Sequence, residues 1–124
     1  MTKSGTQAAA AFSLIAAAGL LHGYVHSMLS RQAPEWFFLL WSMVPYVVCL
    51  LVLILSARAV HVISAAAVAL LLDGWMYYSV LTSSSSTAVL GLLWMPIWNT
   101  IIFVPLTMWV TLMVVRRRAA ENAL

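Results

Sequence analysis

The chain has 124 residues, of which 65% are hydrophobic and 7% charged, and its mean hydropathy is +1.03. A soluble domain is about 25% charged and about half apolar, so this composition excludes a soluble globular enzyme, a disordered tail and a nucleic-acid-binding domain. Four membrane spans of about 20 residues each use most of the length and leave no stretch for a separate catalytic domain. We therefore expect an all-α fold, a single membrane domain of four transmembrane helices.

Two spans are predicted in the first half of the chain. The first apolar segment covers residues 7–29 and is longer than the apolar region of a signal peptide, about 7–15 residues, so we expect it to be retained. A polar connection that contains Arg31 and Glu35 follows. The second span covers residues 36–57, opens with a cluster of aromatic residues and contains Pro45.

Two further spans follow a tight turn at Arg58. The third covers residues 59–81 and leads into an uncharged, serine-rich loop. The fourth covers residues 88–115 and contains Pro96 and Pro105. It is longer than a bilayer requires, so we expect it to tilt or to kink at the prolines. The tail from Arg116 onward is expected to be short and frayed.

The basic residues predict the orientation of the four spans. Because an even number of spans returns the chain to its starting side, one side carries the five topology anchors Lys3, Arg58, Arg116, Arg117 and Arg118. The other side carries only Arg31, beside Glu35. The positive-inside rule therefore predicts that both termini are cytoplasmic. The arginine triplet would also contact anionic lipid headgroups.

Ionisable residues inside a membrane span are functional candidates by default. At a rise of 1.5 Å per residue, Asp73 lies about 12 Å and His22 about 10 Å from the outer surface. His26 is four residues after His22 and shares its helical face. These three side chains are expected to occupy one layer in the outer half of the membrane.

Residues with aromatic or amide side chains are predicted to fall in the same layer. They are Trp41, Tyr46, Trp75, Tyr77, Trp94, Trp98 and Asn99. Together with Asp73 and His22, these residues indicate an aromatic pocket that opens outward and takes an apolar or lipid-like ligand. Sequence alone leaves the rotation of each helix open.

Three roles are open for the acidic and histidine residues. Asp73 could pair with His22 and lock the bundle, or it could carry a proton with His22 as its relay. The spacing of His22 and His26 would suit a metal, with Asp73 as third ligand, but no other helix contributes a histidine at that depth. We therefore expect no metal and no cofactor. The single cysteine, Cys49, cannot form an internal disulfide, and we expect it to fill space in the core.

One stretch resembles a family of small four-span bacterial inner-membrane proteins. The residues Ser85-Ser86-Thr87-Ala88 lead to Trp94-Met95-Pro96-Ile97-Trp98, and Asp73 matches an aspartate in the preceding helix of that family. The resemblance covers residues 70–105 and implies a four-helix inner-membrane architecture without an activity. Small multidrug transporters have a similar length and span number, but they depend on a glutamate in the first helix, and the first span here has no acidic residue.

These observations favour a small polytopic protein of the bacterial plasma membrane that binds a ligand or serves as an accessory subunit, rather than an enzyme. It would act as a homo-oligomer or within a larger membrane complex. The alternative is an oligomeric proton-coupled transporter in which Asp73 carries the proton. A second alternative is a metal- or quinone-linked enzyme subunit that uses His22, His26 and Asp73.

Overall fold

The computed structural model describes residues 3–29, 36–56, 59–84 and 87–122. Its long helices are α1 (Lys3–Leu29), α2 (Trp36–Ser56) and α3 (Ala59–Thr82). A fourth long helix consists of α4 (Ala88–Trp98), a π-helical turn (Asn99–Phe103) and α5 (Val104–Glu121). All four helices are long and apolar enough to cross a membrane, and the described residues contain no strand. The predicted all-α bundle of four spans is confirmed.

Some sequence predictions concern positions that the structure does not describe. Arg31, Arg58 and the serines of the family-like loop, Ser85 and Ser86, lie outside the described residues, as does the side chain of Lys3. The arginine triplet is described and is exposed near the end of α5. Where the sequence predicted a frayed tail, α5 continues to Glu121, because arginine, alanine and glutamate all favour helix.

Helix α3 is the central element of the bundle, since it packs against α1, α2, α4 and α5. Its buried residues recur every three or four positions and form one stripe: Ala59, Val62, Ala65, Ala66, Ala69, Asp73 and Tyr77. Small residues at a helix interface let the backbones approach closely, which is how packing is achieved where lipid supplies no hydrophobic force between helices. The same stripe carries the polar residues Asp73 and Tyr77 into the centre of the bundle.

Side-chain contacts show which ends of neighbouring helices lie at the same height in the bundle. Trp41, near the start of α2, donates from its indole nitrogen to the carbonyl of Leu93, near the start of α4, at 2.9 Å. His26, near the end of α1, contacts Ser42 of α2 at 3.4 Å. We call this end, where α1 and α3 end and α2 and α4 begin, the loop end. At the opposite terminal end, the hydroxyls of Ser64 and Thr111 join α3 to α5 at 2.8 Å.

The π-helical turn divides the fourth helix near its middle. Here the amide of Val104 donates to the carbonyl of Asn99, five residues earlier. In a regular α-helix, five residues turn the chain by about 500°, so Asn99 and Val104 would face different directions. The wider turn brings both side chains into the core, where they are 0% and 1% exposed. The sequence predicted that this span tilts or kinks at the prolines, and the structure shows a π turn between Pro96 and Pro105.

Candidate functional site

Buried polar side chains from all four spans converge on Asp73. The hydroxyl of Tyr46 donates to Asp73 Oδ2 at 2.5 Å, and the amide nitrogen of Asn99 donates to Oδ1 at 2.7 Å. His22 Nε2 lies 3.2 Å from Oδ2. Both oxygens of the carboxyl group therefore have partners, which compensates for removing them from water. We call Asp73, His22, Tyr46, Tyr77 and Asn99 the Asp73 cluster.

His22 links Asp73 to Tyr77. Its Nδ1 is hydrogen-bonded to the hydroxyl of Tyr77, and its Nε2 lies 3.2 Å from Asp73 Oδ2 but lacks the geometry of a hydrogen bond. The imidazole also meets the rings of Tyr46 and Tyr77 edge to face, with centroids 5.4 Å and 5.3 Å away. Two partners and two rings hold the imidazole in one orientation, with one nitrogen towards the acid and the other towards a hydroxyl.

The depth of the cluster places it near the middle of the membrane. Asp73 lies nine residues before the end of α3 at Thr82, a rise of about 14 Å, which is close to half of a hydrocarbon core of about 30 Å. An unpaired charge at this depth costs about 2.5–3.5 kcal/mol on insertion scales. The partners of Asp73 are therefore required for the span to be stable if the acid is ionised.

Two further polar residues extend the cluster towards the loop end. Ser42 of α2 is buried, as is Tyr77 of α3, and both line the same small space beside Asp73. Ser42 Oγ in turn lies 3.4 Å from His26 Nε2, one helical turn beyond His22 on α1. Because His26 is half-buried and lies three residues before the end of α1 at Leu29, polar side chains are present at intervals from the middle of the bundle almost to its edge.

A small cavity adjoins this row of polar groups. It has a volume of about 10 Å³ and is lined by His22, Ser42, Asp73, Met76, Tyr77, Leu92, Met95 and Pro96. This is about the space that one water molecule requires, and four of the lining residues carry hydrogen-bonding side chains. Sites for small molecules are typically about 300–1,000 Å³. The space beside Asp73 thus suits a water molecule, and a larger apolar cavity of about 120 Å³ lies against Trp41, Pro96 and Thr100.

Among the predicted site residues, three tryptophans lie apart from the cluster. Trp75, Trp94 and Trp98 are 70%, 53% and 50% exposed on the outer surface of the bundle. Trp41 is half-buried near the loop end and stacks on Phe37, with centroids 6.3 Å apart. The space beside Asp73 is thus lined by Tyr77 and His22, and three of the four tryptophans that sequence analysis assigned to the pocket lie on the outer surface.

The described residues contain no group of three His, Cys, Asp or Glu side chains placed to hold a metal ion. His26, assigned with His22 and Asp73 to a metal alternative, faces Ser42 instead. His61 lies at the start of α3, near the terminal end. Cys49 is buried in the core cluster, in agreement with its predicted role as a core residue.

Ser42 is the member of the site that sequence analysis missed. A serine near the start of an apolar span is common and carries no distinctive pattern. One signal was available, however, because Ser42 and Tyr46 are four residues apart and must share a face of α2. If Tyr46 points into the bundle, Ser42 points inward as well, one helical turn nearer the loop end.

This arrangement combines an acid, an imidazole and three hydroxyl groups in the buried centre of the bundle. Such groups can hold a proton and move it between hydrogen-bonded partners, and intramembrane acid–histidine pairs serve that purpose in pumps and transporters. Comparison with protein-family models, curated proteins and solved structures finds no match to this chain.

Proposed function

We propose that this small polytopic membrane protein binds and releases a proton at the Asp73–His22 pair, as the proton-carrying element of an oligomeric proton-coupled transporter. The observation that carries the proposal is the 3.2 Å approach of His22 Nε2 to Asp73 Oδ2 near the middle of the membrane. The two side chains are 1% and 4% exposed. A proton that moves on or off this pair changes the charge of the bundle centre.

Two further observations support proton binding over a ligand pocket. The adjoining cavity holds about 10 Å³, far less than an apolar or lipid-like ligand requires. In addition, Tyr46 and Asn99 place donors on the two oxygens of Asp73. These donors fix the orientation of the carboxyl group, and the imidazole of His22 beside it is a second group that can hold a proton.

The test is proton uptake by the protein in lipid nanodiscs when the medium is acidified. We expect Asp73→Asn to take up fewer protons per chain than the wild type, because the amide cannot titrate. Glu121→Gln is the matched control, since Glu121 is an exposed acid at the end of α5, far from the Asp73 cluster. Equal uptake by the wild type and Asp73→Asn, with both folded, would contradict the proposal.

A second candidate function is that of an accessory subunit, which the outward tryptophans favour. Trp98 precedes Asn99 and is 50% exposed, and Trp75 is two residues from Asp73 and 70% exposed. Both therefore lie near the middle of the membrane, although tryptophan prefers the membrane–water interface. Exposed rings at this depth suit contact with another protein helix, from a second copy or from a partner subunit.

The oligomeric state in detergent and in nanodiscs tests this candidate. We expect Trp75→Leu and Trp98→Leu to weaken self-association or the capture of a partner. Trp36→Leu serves as the control, because Trp36 is also exposed, 64%, but lies at the start of α2. An unchanged oligomeric state in all three variants, with the wild type monomeric, would argue against an accessory role through this surface.

We also propose that the protein lies in a bacterial plasma membrane with both termini in the cytoplasm, so that the loop end faces outward. The excess of basic residues on the terminal side supports this orientation, and the resemblance of residues 70–105 supports the location. The test uses Cys49→Ala with one new cysteine, at Ser84 or at Glu121. An impermeant maleimide added to whole cells should label Ser84→Cys and leave Glu121→Cys unlabelled; the reverse pattern would invert the orientation.

A further inference from the structure

Two buried polar atoms of the Asp73 cluster, His22 Nε2 and Asn99 Oδ1, have no hydrogen-bond partner within the part of the chain that the structure describes. The side chain of His22 is 1% exposed. Its Nε2 lies 3.2 Å from Asp73 Oδ2 without the geometry of a hydrogen bond. Buried polar side chains nearly always have a partner, either a protein group or an ordered water molecule, because leaving them without one costs free energy. His22 Nε2 therefore requires a partner.

His22 also lines the small cavity beside Asp73, which supplies the space for such a partner. The cavity volume of about 10 Å³ is close to the smallest that holds one water molecule. Three other hydrogen-bonding side chains line it, those of Ser42, Asp73 and Tyr77. A buried water molecule typically makes two to four hydrogen bonds, so the polar lining is sufficient for one.

We infer that a single ordered water molecule occupies this cavity and is hydrogen-bonded to His22 Nε2, with Ser42 and Asp73 as its further partners. Tyr46 and Asn99 use one lone pair on each carboxyl oxygen of Asp73, and an ionised carboxyl oxygen has a second one to offer. Because water both donates and accepts, it can bond to Nε2 in either tautomer of His22. The site does not depend on the proposed proton binding, since a buried ring nitrogen requires a partner whether or not it titrates.

The polarity of the lining, rather than the size of the space, selects this cavity for water. The larger cavity of about 120 Å³ lies against Trp41 and Thr100, but both polar groups already have partners. The Trp41 indole donates to the Leu93 carbonyl and the Thr100 hydroxyl donates to the Pro96 carbonyl. Apolar cavities of this kind stay free of ordered water.

A metal ion fits the small cavity less well than water does. Calcium and magnesium take about six or more oxygen ligands, whereas Ser42, Asp73 and Tyr77 together supply four side-chain oxygens. Small organic molecules require a space of about 300–1,000 Å³. Water is thus the ligand that matches both the volume and the donor set.

The water molecule also provides a link between His22 and Asp73, which share no direct hydrogen bond. When His22 is an imidazolium, its Nε2–H can give a proton to the water oxygen while the water gives one of its own protons to the Asp73 carboxylate. The water is regenerated, and the charged pair becomes a neutral imidazole and a carboxylic acid. This use of the water rests on the proposed proton binding at the pair.

Magnetisation transfer from water to the imidazole tests the site. Solid-state NMR of protein with labelled histidine in lipid bilayers resolves three rings, and His22→Gln identifies the signal of His22. We expect transfer to His22 in the wild type and its loss in Ser42→Val, whose added carbons fill the cavity. Ser42→Ala removes the hydroxyl but leaves the space, so transfer should persist. Ser64→Val, at the terminal end, is the matched control and should equal the wild type.

A crystal structure of the wild type at a resolution that shows ordered water is the second measurement, and it decides the matter if Ser42→Val fails to fold. We expect a water oxygen about 2.7–3.2 Å from His22 Nε2. An empty cavity, or undiminished transfer to His22 in folded Ser42→Val, would overturn the inference.

The water site and the proposed function can fail separately. If the water is present but Asp73 and His22 keep one protonation state at every pH, the site stands and proton binding fails. If Asp73 titrates in a protein whose cavity holds no water, proton binding stands and the water site is wrong.

Discussion

The hydrogen bond between Asn99 and Asp73 gives the sharpest prediction about stability. Asn99 Nδ2 donates to Asp73 Oδ1 at 2.7 Å, and the two side chains are 0% and 4% exposed. Hydrogen bonds to charged groups contribute about 1.5–3 kcal/mol. Measured couplings between membrane helices average about 0.6 kcal/mol and reach about 1.7. The short distance and complete burial favour the upper part of the membrane range, so we expect about 1.5 kcal/mol.

A double-mutant cycle isolates this energy. Single substitutions would overstate it, because Asn99→Ala also leaves a cavity and Asp73→Ala also strips the partners from His22 and Tyr46. The cycle of Asn99→Ala, Asp73→Ala and the double variant cancels those terms. The assay is equilibrium unfolding in mixed micelles with increasing dodecyl sulfate, followed by circular dichroism. The free energy of unfolding is read from each curve.

A second cycle in the same protein provides the control. Ser64 and Thr111 join α3 to α5 at 2.8 Å between two neutral, half-buried hydroxyls, and we expect their coupling to be about 0.6 kcal/mol. The reasoning about the Asp73 cluster would be refuted if the Asn99–Asp73 coupling were no larger than the Ser64–Thr111 coupling. It would also be refuted by a coupling of opposite sign.

Three further predictions use the same unfolding assay. Tyr46→Phe keeps the ring but removes the hydroxyl that lies 2.5 Å from Asp73, and we expect a loss of about 1.5 kcal/mol or more; no loss would mean that the bond contributes little. Ala66→Leu inserts three carbons at a fully buried contact of α3 and should cost about 1–3 kcal/mol, whereas Leu71→Ala on the exposed face should cost under about 0.5. Trp41→Phe removes the indole donor to Leu93 at 2.9 Å and should lower the free energy of unfolding by about 1 kcal/mol. If the variant is as stable as the wild type, α2 and α4 are held together by packing alone.

The depth of the polar residues could be predicted from the sequence, because a helix rises by a constant amount per residue. Counting from the ends of the apolar segments placed His22, Tyr46, Asp73, Tyr77 and Asn99 in one layer, and the structure brings all five together. Their functional role is a separate matter, which the proposed experiments address. The sequence also indicated the pairing of acid and histidine, since few polar groups are available in the span interior.

The direction in which each helix faces was harder to predict. Membrane spans are apolar on every side, so the contrast that marks the inner face of a soluble helix is weak. Helical geometry still held usable information. Asp73 and Tyr77 are four residues apart and share a face, whereas Trp75 lies about 200° from Asp73 around α3. An inward Asp73 therefore turns Trp75 outward, as observed.

The π turn lies beyond what hydropathy and spacing could predict. Pro96 and Pro105 mark a disturbed helix, because each removes a backbone donor, but they do not specify whether the helix kinks or widens. The outcome depends on tertiary contacts, since the wider turn allows both Asn99 and Val104 to reach the core. Such turns occur mostly as single insertions in α-helices and are frequent at functional sites.

The most direct test of the central claim is to observe the protonation of Asp73 itself. Because the chain contains one aspartate, carboxyl-labelled ¹³C-aspartate gives a single infrared and NMR signal in nanodiscs. We predict that this signal changes from the ionised to the protonated form within about pH 4–9, a range that covers the ordinary values for aspartate and histidine. Asp73→Asn should lack the signal. A label that stays in one form throughout this range, in folded protein, would contradict proton binding and leave Asp73 as a structural link between the helices.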